Sequence, residues 1–119
     1  MKVLKRNDIT VFDVDQTLVM YKNYRSNGPN KIAFDYGDEV IYLTPHKFHV
    51  MFLKHCYKRG DYVIVWSKNS AMWAEQVIKK LKLQKYVHMI MSKPTRHVDD
   101  KENINEIVGD RIWIEDADS

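Results

Sequence analysis

Ile9-Thr10-Val11-Phe12-Asp13-Val14-Asp15-Gln16-Thr17-Leu18-Val19 is the stretch on which the fold turns. Ile9 to Phe12 is a short apolar run that stops at Asp13, the pattern of a buried strand rather than of one with a wet face. A strand of that kind belongs to a sheet covered by helices, and the residues directly after it lie at the sheet's carboxyl edge.

On the C-terminal side, residues 18–44 are irregular: SNGPN at Ser26 to Asn30 is a loop signal, and IAFDYGDEVIYL reads as two short strands turning at Gly37-Asp38. Thr44-Pro45 is the pairing of an N-cap with proline at a first helical position, and Phe48, Met51, Phe52 and Cys56 then recur at helical spacing up to Gly60. Tyr62 to Trp66 is a second buried strand, halted by Ser67-Lys68-Asn69. Ser70 caps a helix with Ala74, Val77, Ile78 and Leu81 on one face, and Val87 to Met91 is a third strand before Ser92-Lys93-Pro94. A brief His97-Val98 segment runs into Asp99-Asp100. A short helix with Ile104, Ile107 and Val108 ends at Gly109, and Arg111 to Ile114 reads as a last strand. Strands alternating with helices predict an α/β fold, a three-layer sandwich on a mainly parallel sheet, with a small hairpin or flap at 18–44 after the first strand. Residues 1–119 form one domain on this reading.

Composition narrows the class. With 45% apolar and 29% charged residues, four Gly and three Pro, the chain is neither disordered nor low-complexity. No apolar run reaches the ~18 residues of a membrane span, and MKVLKRNDITVF is interrupted by Asp13 too early for a signal-peptide core. The expectation is a cytoplasmic protein with no membrane partner. Its single cysteine, Cys56, forms no internal disulfide. A net charge of +3 does not argue for nucleic acid by itself, but the carboxylates are gathered in short islands between the lysines and arginines, as a cation site facing an anionic substrate requires.

In such a sheet ligands bind where strands end. The residues there are Asp13 with Asp15, Ser67, Lys93, and Asp99 with Asp100. Hard carboxylate oxygens suit Mg2+, while a hydroxyl and an ammonium suit phosphoryl oxygens. Period-2 geometry sets Asp13 and Asp15 on one side if the chain stays extended, so one can attack while the other handles a proton. A carboxylate attacking a phosphate dianion meets repulsion, which the cation and Lys93 must offset. Accelerations of monoester hydrolysis near ~10²¹, roughly 28 kcal/mol, exceed what one group supplies, so these groups must act together.

FDVDQTLV, at Phe12 to Val19, resembles the DxDxT motif of the haloacid dehalogenase (HAD) superfamily; VIVWS ending at Ser67 resembles its second motif, Lys93 its third and HVDD its fourth. The resemblance implies a five-stranded Rossmann-like sheet and an aspartyl-phosphate mechanism. Asp13 would be nucleophile and metal ligand, and Asp15 acid, base and metal-site residue. Thr17 would support the motif loop, Ser67 would bind the phosphoryl group, and Lys93 would stabilise the phosphoaspartate. Asp99 and Asp100 would complete a magnesium site, Asp100 as the direct ligand. Lys68 and Asn69, beside Ser67, are further candidate substrate contacts. Asp15 favours phosphatase over dehalogenase. Gln16 departs from the glycine common at that position and is expected to alter the loop or project toward the substrate. Glu115-Asp116 is the competing fourth motif.

Two other classes are weighed against a phosphatase: a HAD-like binding module without turnover, and a receiver-type phospho-switch, whose phosphorylated Asp after the third strand is missing here. The HVDDK arrangement resembles the phosphatase domain of polynucleotide kinase-phosphatases, which points to nucleotides or nucleic-acid ends as substrate. Tyr21, Lys22, Tyr24 and Arg25 interleave aromatics with cations; the stretch reads as a solvated loop or, alternatively, as a nucleic-acid contact, with Lys22 and Arg25 as substrate-binding candidates. Trp66, Trp73 and Trp113 read as core, and His46, His49 and His55 as structural or surface histidines rather than zinc ligands.

Overall fold

The computed structural model describes residues 7–21 and 31–115. Its centre is a parallel sheet of three strands in the order β1 (Ile9–Asp13), β5 (Tyr62–Ser67), β6 (Met89–Ser92). β1 runs beside β5 from Ile9 against Tyr62 to Asp13 against Trp66, and β5 beside β6 from Ile64 against Met89 to Ser67 against Ser92. That register brings Asp13, Ser67 and the residue after Ser92 to one carboxyl edge. Phe12, Val63 and Val65 are buried, as their apolar runs require.

The insertion forms its own antiparallel sheet, in the order β2 (Val19–Met20), β4 (Glu39–Pro45), β3 (Ile32–Tyr36). The expected hairpin turn is there: Tyr36 faces Glu39 across two residues, and Gly37 takes φ +64, glycine's place in a tight hairpin. β2 was not foreseen, since two residues carry no periodicity.

The helix α1 (Lys47–Lys58) starts later than Thr44-Pro45 suggests. Thr44 and Pro45 stay in the ladder, against Met20 and Val19, and the cap passes to His46, whose Nδ1 accepts from the His49 N–H. α2 (Ala71–Lys80) is capped by Ser70 as read, its hydroxyl accepting from the Trp73 N–H. Trp73, Ala74, Val77 and Ile78 of α2 join Leu53 and Cys56 of α1 in a core with Val14, Leu18, Val19, Phe34, Leu43 and Leu83. Tyr57 to Tyr62 turns α1 into β5, where buried Asp61 accepts from Arg59 Nε at 2.8 Å and from Thr10 Oγ1 at 3.3 Å.

Five parallel strands are not shown. His97-Val98 enters no ladder, and Arg111 to Ile114 is not a strand; Ile112 is 57% exposed and Trp113 38%, so Trp113 is not core. The helix α3 (Ile104–Val108) ends at Gly109 as expected but buries no residue. The run Ile112-Trp113-Ile114 is apolar on both alternating faces and so needs cover on two sides, which a five-residue helix does not provide. Among the described residues β1 therefore pairs on one side only, and its other side borders a cavity of about 360 Å³ shared with Val108, Gly109, Asp110 and Ile112. No described helix is long and apolar enough to cross a membrane.

Candidate active site

Beyond Asp13 the chain folds back on a single carbonyl. Val14 O accepts from the N–H groups of Thr17 (3.2 Å), Leu18 (2.9 Å) and Val19 (3.1 Å), while Gln16 N–H donates to Val19 O at 2.8 Å. This tight loop drives Gln16 to φ +60, the left-handed region, at a cost of ~1–2 kcal/mol for a residue with a Cβ. The departure from glycine noted in the sequence thus falls where glycine would be relaxed. The Gln16 side chain turns back on the chain that follows the loop: its Oε1 accepts from the Tyr21 N–H at 2.9 Å.

Thr17 supports the loop through its backbone, and its carbonyl is met by His49 Nδ1 at 2.8 Å. His49 Nε2 accepts from the Ile114 N–H at 3.1 Å, so the hydrogen sits on Nδ1 and the ring is a neutral bridge from α1 to the motif loop and the C-terminal segment. The ring is buried and stacks on His46 at 3.8 Å between centroids. Nothing in the residue pattern marks this role, because it depends on what α1 is packed against.

Asp13 stands at the end of β1, its side chain about one-third exposed (32%), with Lys93 Nζ 3.8 Å from Oδ1. Burial raises its pKa most; Lys93 pulls it back down, and the neighbouring Asp15 charge pushes it up again. Lys93 is held at that edge by its N–H, which continues the ladder to Ser67 O at 2.9 Å.

Asp15 is met by four donors. Tyr21 Oη at 2.5 Å and Trp73 Nε1 at 2.9 Å reach Oδ1; Ser67 Oγ at 3.0 Å and Asn69 Nδ2 at 3.2 Å reach Oδ2. Ser67 is fully buried and its Oγ also accepts from the Asn69 N–H at 3.0 Å. Ser67 and Asn69, expected at the phosphoryl group, are thus turned to Asp15, while Lys68 is exposed. Tyr21, in the stretch read as a solvated loop or a base-stacking contact, places its hydroxyl on a carboxylate. Burial, and then the bond to Asp15, raise its pKa, so it stays a protonated donor. Trp73 is buried as read, but its indole N–H has a task that hydropathy does not reveal.

The structure brings together Asp13, Asp15, Ser67, Asn69 and Lys93. It does not bring Asp99 or Asp100 to them. Both are exposed, Asp99 Oδ1 accepting from the Lys101 N–H at 2.8 Å and Asp100 lying 3.8 Å from Lys101 Nζ. Among the described residues no three His, Cys, Asp or Glu side chains are set to hold a metal ion. Lys22, Arg25 and Asp116 lie outside the described residues.

The arrangement offers a half-buried carboxylate beside an ammonium, two residues from a second carboxylate held in place by its neighbours. Chemically, such an arrangement can supply a nucleophile with a charge partner and an acid–base group. Compared with known families, residues 9–107 match the family model described as NLI interacting factor-like phosphatase. The match takes in every motif from Asp13 to Asp100 and stops before Glu115. No curated protein and no solved structure matches the chain, and nothing in these comparisons supports the likeness to polynucleotide kinase-phosphatases.

Proposed function

This chain belongs to the NLI interacting factor-like phosphatase family, a HAD-type family, and from that premise we propose that it hydrolyses phosphate monoesters through an aspartyl-phosphate on Asp13. The observation that carries the reading is the pairing of Asp13 with Lys93 at 3.8 Å, two residues from Asp15. An Asp13 oxygen attacks phosphorus, the bond from phosphorus to the leaving oxygen breaks, and Asp15 gives that oxygen a proton. Asp15, now a carboxylate, takes a proton from a water that attacks the phosphoaspartate, which releases inorganic phosphate and restores Asp13. Lys93 offsets charge on the phosphoryl oxygens throughout.

The residues present fit a magnesium ion in part. Mg2+ usually takes one or two carboxylates and fills its other positions with water and substrate phosphate. Asp13, whose burial disfavours its own charge, suits the first of these places. Asp100 is the candidate second carboxylate, because the family match includes it and stops short of Glu115-Asp116; reaching Asp13 requires the exposed 94–103 segment to move. Such an ion would supply a Lewis acid for the phosphoryl oxygens. The substrate is proposed to be bulky, a nucleotide or nucleic-acid end among the candidates. The support for this is that the described part of the insertion is a small antiparallel sheet and holds no helix.

The test is hydrolysis of p-nitrophenyl phosphate, nucleotides, phosphorylated oligonucleotide ends, sugars and phosphopeptides, with Mg2+ or EDTA, by the wild type and Asp13→Asn. Turnover that needs Mg2+ and is abolished in a folded Asp13→Asn protein is the expected result. Near-normal activity of that variant overturns the mechanism.

A further inference from the structure

A carboxylate has about four lone-pair sites, and the four donors at Asp15 occupy that number. Two of them, Ser67 and Asn69, come from the end of β5 and the turn after it. The other two tie Asp15 to the insertion. Tyr21 directly follows β2, where the insertion leaves the motif loop, and is fixed in turn by its N–H on Gln16 Oε1. Trp73 lies in the first turn of α2, and its ring is gripped by two residues of β3: Phe34 at 5.6 Å and, edge-on, Tyr36 at 5.4 Å between centroids. Gln76, one turn further along α2, adds a second tie to the same strand, accepting from the Asp35 N–H at 2.8 Å and donating to its carbonyl at 3.0 Å.

We propose that Tyr21 and Trp73 are positioning residues that clamp Oδ1 of Asp15, so that the insertion sets the orientation of the carboxylate that exchanges a proton with the leaving oxygen. The inference rests on the phosphatase reading above. It assigns the insertion a part in the chemistry rather than only in the choice of substrate. Both bonds fall on the same oxygen, Tyr21 Oη at 2.5 Å and Trp73 Nε1 at 2.9 Å, and together they keep the carboxylate from swinging.

Steady-state kinetics on an alkyl phosphate and on p-nitrophenyl phosphate test this with the wild type, Tyr21→Phe, Trp73→Phe, Asp15→Asn and Tyr21→Phe/Asp15→Asn. Tyr21→Phe should lower kcat on the alkyl phosphate by ~10-fold and on p-nitrophenyl phosphate by no more than ~3-fold, with KM within ~2-fold. Trp73→Phe, which keeps a ring for Phe34 and Tyr36, should show the same pattern and serves if Tyr21→Phe does not fold. In the Asp15→Asn background the Tyr21 change should add nothing, because there is no acid left to position. Equal losses on both substrates, or a further loss in the Asp15→Asn background, would show a general structural role and overturn the proposal. No loss on the alkyl phosphate in either variant of an active enzyme overturns it too. A wild type that hydrolyses neither substrate sinks the phosphatase reading itself, and this inference with it.

Discussion

Replacing Lys93 by Met removes the cation that the structure sets beside Asp13 while keeping the length of the side chain. The 3.8 Å separation of Nζ and Oδ1 gives the scale of the effect. Two unit charges at that distance interact by about 1.1 kcal/mol at the permittivity of water and by about 4.4 kcal/mol at an effective value of 20. The two side chains are 43% and 32% exposed, so the value lies between these limits. In the proposed mechanism the same ammonium faces the phosphoryl group that Asp13 attacks, and at about 1.36 kcal/mol per decade the midpoint corresponds to a loss of ~100-fold in kcat/KM. The ion pair is too exposed to matter much for folding, with about 1 kcal/mol as its ceiling, so the thermal midpoint should barely move. The assay is kcat/KM on p-nitrophenyl phosphate for the wild type, Lys93→Met and Lys93→Arg. Charge-preserving Lys93→Arg should recover at least ~10-fold of the loss. A Lys93→Met enzyme within ~3-fold of the wild type, or an Arg variant no better than the Met one, would refute a charge-neutralising role.

Two further outcomes concern other parts of the molecule. His49→Phe keeps an aromatic ring beside His46 and Trp113 but leaves Thr17 O and Ile114 N–H without their partner. It should cost about 2 kcal/mol and roughly 8 °C of Tm by calorimetry, and a drop below ~2 °C would show that the bridge contributes little. Asp61 is held below the usual carboxylate range, chiefly by its hydrogen bonds from Arg59, so the stability it adds is present above the unfolded value near ~3.9 and is lost as pH falls through the lower folded value. Urea melts should therefore show Asp61→Asn less stable than the wild type at pH 7, with the gap closing below about pH 4; a gap independent of pH contradicts this.

What the sequence disclosed is what local pattern encodes. Ile9 to Asp13, Tyr62 to Ser67 and the Ser70 cap were legible because an apolar run, a stop and a hydroxyl act within a few residues of one another. The start of α1 was not, because Thr44-Pro45 satisfies a cap and a strand end equally well, and the choice was made by Val19 and Met20, far away in sequence. Arg111 to Ile114 shows the limit of periodicity: an apolar run states a need for cover but not whether cover is supplied. At the candidate site, Asp13, Asp15, Ser67 and Lys93 were read together because they follow strand ends, and the structure sets them at one sheet edge. Asn69 was read as a substrate contact, and its amide donates to Asp15. The hydrogen bonds of Tyr21, Trp73 and His49 were missed, since each is made by polar atoms on a ring that hydropathy counts as core, loop or structural filler.

Among the described residues one side of β1 is unpaired, and this bears on how the protein behaves at different concentrations. A strand edge with free N–H and C=O groups, here with Ile9 66% exposed beside it, is a template for whatever extended segment arrives first. Arg111 to Ile114 is already tethered nearby, anchored at Ile114 to His49 and reaching the same cavity through Ile112. A tethered segment competes at an effective concentration of about millimolar, set by its linker rather than by the protein in the tube. Any pairing at that edge would therefore go first to the chain's own segment in dilute solution, and only in concentrated stocks would a second copy approach parity with it.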